Sequence, residues 1–346
     1  MNKEEYQISF NVPAFLGDAE QKSAWRTPPF KALIQHWWRI VVAKEHNYDW
    51  EKIRESEGRL FGHAWLDNGS WAMRSRVKLK LEQTKPGCLN SWSKDDLKVK
   101  HPEVKFPVGS QLYMGYGPLD FKHGLKNPPA INIKEENQLT VVFPKKDQLV
   151  FDQVMQLINW LGTLGGRSRN GWGSISINSD KLEDYSILLN GKADFNNIQK
   201  PLKACLAEEW CHALGQDEKG VLIWKTEACK TWMETMRILA ELKIGYRTSL
   251  SVTKPFDERQ ILALPVTNHT PKELKNDRVA NQLRCKVIKY KDDFYGLIFH
   301  LPCKIPKTIS GKLNHPSAQS LLANQETIWL KVHKYLDQNL QRTGSK

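Results

Sequence analysis

Apolar and polar residues along this chain switch between two periods, two and 3.6, and the switches mark its elements. Tyr6-Gln-Ile-Ser-Phe-Asn-Val12 alternates and predicts a strand that Pro13 ends, with Phe15-Leu-Gly-Asp18 as the loop beyond it. A helix is predicted over 29–45, opened by Thr27-Pro28-Pro29, because threonine can cap and proline is tolerated in a first turn. Phe30, Leu33, Ile34, Trp37 and Val41 form its apolar stripe, while Lys31, Gln35, Trp38 and Arg39 fall toward the other side. Trp38 is out of place there as a core residue. Residues 46–70 read as irregular. Alternation returns in Trp71-Ala-Met-Arg-Ser-Arg-Val-Lys-Leu-Lys-Leu81, whose even positions 74, 76, 78 and 80 are Arg, Arg, Lys and Lys. A strand turns alternate residues to opposite faces, so this one carries an apolar face and a basic face with cations roughly 6–7 Å apart. Further strands are predicted at 111–117, 137–143 and 172–178, with 83–109 and 118–136 as insertions. A helix opened by Asp147 places Val150, Val154, Leu157, Ile158 and Leu161 on one stripe.

The order strand, helix, strand, strand, helix, strand is the split βαβ, ferredoxin-like pattern, the kind of antiparallel sheet that many RNA-binding modules of the RRM type present. The second half is less regular. Short helices are expected over 180–217, a helix over 219–242, a strand at 259–265, a hairpin of 285–290 and 295–300, and a last helix over 317–340. The fold class expected is therefore α+β. It comprises two ferredoxin-like (βαββαβ) domains with insertions, 1–180 and 181–346, the second degenerate and carrying a helical insertion.

Between the Asp147 helix and the strand after it lies Gly162-Thr-Leu-Gly-Gly-Arg-Ser-Arg-Asn-Gly-Trp-Gly173, with five glycines, two arginines and no acidic residue. Glycine has no Cβ to block a close approach, and successive amides in a tight turn can form a concavity for anions. Gly165, Gly166, Arg167, Ser168 and Arg169 are read as a ribose-phosphate cradle. The structural alternative is that Gly162 caps the helix and the other glycines let helix and strand pack closely. The spacing matches neither GxxxxGK[ST] nor a dinucleotide loop, which follows a strand.

Lys and Arg outnumber Asp and Glu by 51 to 38 among 346 residues, a net charge of +13, and this favours an anionic partner, nucleic acid ahead of membrane. No apolar run approaches the roughly 18 residues a membrane span needs. The acidic, polar start Met1-Asn-Lys-Glu-Glu-Tyr6 does not read as a signal peptide. Six scattered cysteines without a CxxC pair suggest a reduced, cytoplasmic compartment. No metal or cofactor is expected, the nearest cluster being Cys205, Cys211 and His212.

The motifs together resemble the RAMP superfamily of CRISPR effector proteins, and within it the first-subunit family of the type III-B (Cmr) complex. Val12-Pro-Ala-Phe-Leu-Gly-Asp-Ala19 matches a TPxFLGGA opening, and Arg26-Thr-Pro-Pro-Phe-Lys-Ala-Leu-Ile-Gln-His-Trp-Trp-Arg39 matches RxPSxKGxxRxWWR. Glu57 to Gly62 matches ExxLFG, Ser75-Arg76-Val77 matches SRV, and Gly162 to Gly173 matches a GxGxRxRxGxG-like loop. Arg278-Val-Ala-Asn-Gln-Leu283 is a partial match to RxxSPL. Departures are Ala32 for the family's glycine, Gln35-His36 in place of its first helix arginine, and Asp18 for the second glycine of the opening. The resemblance implies two ferredoxin-like domains that bind CRISPR RNA and its paired target RNA beside other effector subunits, in a member that does not itself cleave.

The expected RNA contacts are Arg26, Lys31, Arg39, Arg74, Arg76, Lys78, Arg167 and Arg169, on or beside one face, with Trp38 and Trp172 as base-stacking or core residues. The alternative is a RAMP endoribonuclease. For that chemistry His36 is a weak candidate for the general acid or base, and Asp18 a weak candidate for a metal-binding aspartate.

Overall fold

The computed structural model describes residues 1–66, 71–93, 96–252, 256–266 and 270–344. They form a mixed α+β protein in two compact units. The first comprises Met1–Asp96, Met114–Leu188 and Lys286–Asp292, and the second comprises Leu97–Tyr113, Leu189–Cys285 and Asp293–Lys346.

In the first unit the chain runs β1 (Asn2–Phe10), α1 (Thr27–Val42), α2 (Trp50–Phe61), β2 (Lys78–Leu81), β3 (Glu136–Phe143), α3 (Gln148–Leu161) and β4 (Ile175–Asn178). The strands lie in the spatial order β4-β1-β3-β2, every neighbouring pair antiparallel. Period two decides the faces. Tyr6, Ile8 and Phe10 of β1 and Leu139, Val141 and Phe143 of β3 are buried. Phe143 stacks on Phe151 of α3 at 4.2 Å between ring centroids, so this face of the sheet is covered by helix. The other face is polar: Gln7 bonds Glu136 at 3.1 Å and Gln138 bonds Glu5 at 2.7 Å. No aromatic side chain of these four strands lies on it, so the ring-stacking surface of an RRM is not built here.

Several elements differ from expectation for local reasons. Residues 46–70 contain helix α2, capped by the Asp49 carboxylate, which accepts the amides of Glu51 and Lys52. Its stripe was hidden because a charged residue, Glu57, occupies a buried position. The alternating run 71–81 breaks into Trp71–Met73, paired with His63–Leu66, and β2, which joins the main sheet. Between them the Arg76 amide bonds the Leu60 carbonyl at 2.9 Å, outside any ladder. Residues 111–117 are largely helical, Ser110–Gly115. Helix α1 is preceded by Arg26 with no side-chain cap, so Thr27 is its first residue rather than its cap.

The second unit contains β5 (Ile223–Lys225), α4 (Trp232–Thr248), β7 (Asp293–His300), α5 (Gln325–Asn339) and β8 (Gln341–Arg342), and the start of β6 (Leu283–Tyr290), which from Lys286 on belongs to the first unit. The sheet order is β8-β5-β7-β6, the same order as in the first sheet when strands are counted from the N-terminus. The helix predicted over 219–242 starts only at Trp232, because Thr231 and Glu234 make a capping box there and the residues before it are strand. Residues Glu258–Leu262 are helix rather than strand, with all five buried and Asp257 as cap. The last helix is split at Asn324 into Pro316–Ala323 and α5.

His300 and His333 meet in this unit's core, Nδ1 to Nε2 at 2.9 Å, both buried. Burial holds both pKa values far down, that of His333 to about 3, with each ring's mutual repulsion or nearby Arg342 adding to it. An unfolded histidine titrates near 6.5, so only the unfolded chain takes up protons as pH falls below that value. Stability is therefore full above about pH 6.5 and is lost toward pH 3, with a slope of roughly 1.4 kcal/mol per pH unit per histidine. Urea midpoints at pH 7.5 and pH 5 should show the drop, and His333→Phe should flatten it.

Candidate nucleic-acid interface

The glycine loop follows α3 and leads into β4. Its amides are mostly engaged within the protein. Gly166 N donates to Phe15 O at 2.8 Å, Asn170 N to Arg167 O at 2.8 Å, Gly171 N to Ser168 O at 3.0 Å and Gly173 N to Pro13 O at 3.0 Å. The Ser168 amide reaches Gly165 O at 3.4 Å. Close packing explains two of the glycines directly. A Cβ on Gly173, which has φ +61°, would sit 1.9 Å from Leu164 O, and one on Gly165, at φ +94°, would sit 2.6 Å from Phe15 O. An open row of amides for phosphate is thus not what these glycines build.

The loop instead presents a cation. Arg167 has φ +56°, is exposed, and lays its guanidinium against Gly117, where a Cβ would come within 3.3 Å of Nη2. No hydrogen bond or ion pair of the described residues engages that guanidinium. Gly166 packs against Pro118, which follows Gly117. The same segment carries two rings in solvent, Tyr116 at 59% and Phe121 at 69% exposure. Phe121 sits at a small hairpin of Leu119–Asp120 and Gly124–Leu125 beside Lys122 and His123. Sequence reading passed over these rings. Their signal was an aromatic on each side of the turn pair Gly117-Pro118.

Trp172, by contrast, is fully buried, 5.2 Å from the Trp92 ring and 4.9 Å from Phe15, so its ring is core and offers no face to a base. Trp38 is also closed off on its helix, at 5% exposure and edge-on to Phe61 at 5.6 Å, and it borders a cavity. Neither tryptophan is an open stacking platform in this structure.

The remaining cations fall into two groups. Lys31, Arg39 and Arg26 are engaged by protein. Lys31 Nζ donates to Phe61 O at 2.8 Å, at the C-terminus of α2, where carbonyls carry partial negative charge. Arg39 holds Glu57 through two bonds of 2.6 Å each. Arg26 donates to Gly17 O, next to Trp25, whose indole bonds Glu135 at 3.1 Å. Burial alone would raise the Glu135 pKa, but donors from Asn132, Cys88 and Trp25 outweigh it and hold the carboxylate low. Arg74, Arg76, Lys78 and Lys80 are all exposed, but only Lys78 and Lys80 lie in a strand, so the single basic strand face expected from alternation is interrupted at 74–77. Arg169 is half-buried in the loop.

The glycine loop and the Lys78 end of the basic segment stand at opposite ends of the sheet. Lys78 pairs with Val142, which pairs with Lys3, whereas β4 leaves the loop at Ile175, opposite Phe10. From Lys3 to Phe10 the strand covers about 23 Å at roughly 3.3 Å per residue. Loop and ribbon can share a polymer that runs along the domain, but not a single phosphate.

Of the weak nuclease candidates, Asp18 is exposed and accepts the amides of Glu20 and Lys22 at 2.8 and 3.0 Å, closing a local turn. His36 lies mid-way along α1, 5.6 Å from the Trp37 ring. Among the described residues no group of three His, Cys, Asp or Glu is placed to hold a metal, and no helix is long and apolar enough to cross a membrane.

No family model and no curated protein matches the chain. It is similar to solved Cmr proteins. Cmr1 from Pyrococcus furiosus, in its apo form, is 14% identical over 94% of this chain and 97% of its own, with a TM-score of 0.43. A chain of the type III-B Cmr-beta complex bound to cognate target RNA is 11% identical over 95% of this chain and 99% of its own, with a TM-score of 0.45.

Proposed function

We propose that this chain is an RNA-binding, non-cleaving subunit of a type III CRISPR ribonucleoprotein, contacting CRISPR RNA and target RNA beside other effector subunits in the cytoplasm. Both halves are read as ferredoxin-like folds, a reading supported by their common strand order. The motif set from Val12 to Gly173 supports the family. The observation that carries RNA binding is Arg167, an exposed cation with no acidic partner among the described residues, held at positive φ against Gly117 in the segment that also carries the exposed rings of Tyr116 and Phe121. Backbone phosphate takes such a cation and unpaired bases take such rings, whereas a duplex would hide its bases.

Arg74, Arg76, Lys78, Lys80 and Arg167 supply five exposed cations. Five phosphate contacts on single-stranded RNA give a salt slope near −3.5, so affinity should fall on the order of a hundredfold from 50 to 200 mM salt. Fluorescence anisotropy with a labelled oligoribonucleotide checks this, and a flat response would argue against the reading. Purification of the tagged chain from its own cells tests the assembly. CRISPR RNA and other effector subunits should travel with it, and their absence would remove the assignment.

A further inference from the structure

Cys211 and Cys303 bring their sulfurs to 3.5 Å of each other from positions 92 residues apart. Both are thiols, both are half-buried, and both belong to the second unit. A disulfide bond is about 2.05 Å long, so about 1.5 Å remains to be closed.

The segments that carry the two thiols are already tied together. Gln282, itself buried, clamps the main chain of Cys303: the Cys303 amide donates to Gln282 Oε1 at 2.9 Å, and Gln282 Nε2 donates to the Cys303 carbonyl at 2.8 Å. The next amide, that of Lys304, donates to Glu208 O at 2.7 Å, three residues before Cys211. The entropy of bringing positions 211 and 303 together is therefore borne by the fold and not by a new bond. The other cysteines stand differently. Cys205, Cys229 and Cys285 are buried, where a thiol acts as a small apolar side chain, and Cys88 is exposed in the first unit. Burial pushes the Cys205 thiol up to about 12 and the Cys285 thiol up to about 11. The thiolate is the attacking form, so neither competes at neutral pH. A half-buried pair in contact is open to thiol–disulfide exchange.

We propose that Cys211 and Cys303 form a reversible disulfide, a redox-sensitive latch between the segment entering the strand Leu214–Asp217 and the segment that follows β7, with glutathione disulfide as the oxidant. One cysteine thiolate attacks a sulfur of glutathione disulfide, whose S–S bond breaks and releases one glutathione thiolate. The second cysteine thiolate attacks the protein sulfur of the mixed disulfide and expels the other glutathione. The protein gives up two electrons and two protons, and glutathione disulfide takes up both to become two glutathione thiols. In a reduced compartment the pair stays as thiols, and it closes when the glutathione pool is oxidised, as the transient, redox-sensing disulfides of such compartments do. RNA binding is not required for it.

The full chain is equilibrated with reduced and oxidised glutathione in varied ratio, quenched in acid, alkylated, digested without reduction and read by mass spectrometry. A peptide pair joined through Cys211 and Cys303 is expected, and dithiothreitol should return it to thiols. At the ratio that closes half of the pairs, less than about one-tenth of Cys88 should carry glutathione, because a positioned thiol outcompetes a dissolved one. The linked chain should unfold at higher urea than the reduced chain, since the bond joins positions 92 residues apart in the unfolded chain. Cys303→Ser should abolish both the linked peptide and this difference. A link that forms only in urea, a link from Cys211 to Cys205, thiols at 211 and 303 after Cys88 is fully glutathionylated, or an unraised urea midpoint in the linked chain would each overturn the proposal.

Discussion

Lys286→Met should destabilise the protein by about 3 kcal/mol. The lysine is fully buried, and its ammonium touches four carbonyl oxygens, Ile158 at 3.1 Å, Asn159 at 2.6 Å, Gly162 at 2.9 Å and Ile175 at 2.7 Å. Three of these come from the end of α3 and the first residue of the glycine loop, and the fourth from the strand after it. Burial drives the Lys286 pKa well below the ordinary lysine value. The convergent carbonyls at a helix C-terminus pull the other way, toward the charged form. Without the ammonium they face one another around a methionine that cannot donate. Charge-assisted bonds are worth about 1.5–3 kcal/mol each. Relief of the buried charge's desolvation offsets part of their loss, which is why the net figure is well below their sum. The neighbouring backbone adds to the clamp, since Val287 N bonds Ser174 Oγ at 2.8 Å, and that hydroxyl donates to Gly171 O at 2.7 Å. Urea unfolding of Lys286→Met against Lys289→Met, an exposed position, reads the effect. A loss below about 1 kcal/mol would mean that Lys286 does not hold the loop.

Removing both exposed rings, in Tyr116→Ala/Phe121→Ala, should weaken single-stranded RNA binding about thirtyfold or more. Stacking of one base on an aromatic side chain is worth about 1–3 kcal/mol, and two rings are removed. Arg167→Ala should cost about tenfold on its own and lower the salt slope by about 0.7, because one phosphate contact disappears. These side chains are exposed and make no contribution to the core, so thermal unfolding should stay unchanged in all three positions. Wild-type affinity in the double variant, measured by anisotropy at 50 mM salt, would remove the rings from the interface.

Much of the scaffold was readable residue by residue. The stripe Phe30, Leu33, Ile34, Trp37 and Val41 is buried as helical spacing requires, and β1 and β3 alternate as written. The second half was harder to read. Val221, Trp224, Ala228 and Trp232 fall at helical spacing by coincidence, and the true start of α4 is marked by Thr231 and Glu234 instead. Helix α2 was missed because Glu57 on its buried stripe looks polar until Arg39 is seen beside it.

The interface divides along the same line. That the four cations at even positions are exposed follows from the sequence alone, because lysine or arginine heads stay in water unless paired, but only Lys78 and Lys80 lie on one strand. Which cations keep their charge free did not follow from it. Arg39 is neutralised by a carboxylate 18 residues away, and two glycine-loop amides, those of Gly166 and Gly173, are taken by the carbonyls of Phe15 and Pro13. Trp172 is enclosed while Tyr116 stands in solvent. Periodicity records which way a residue points within its own element. Only the packed chain decides what it meets there, because that depends on partners brought together from distant parts of the sequence.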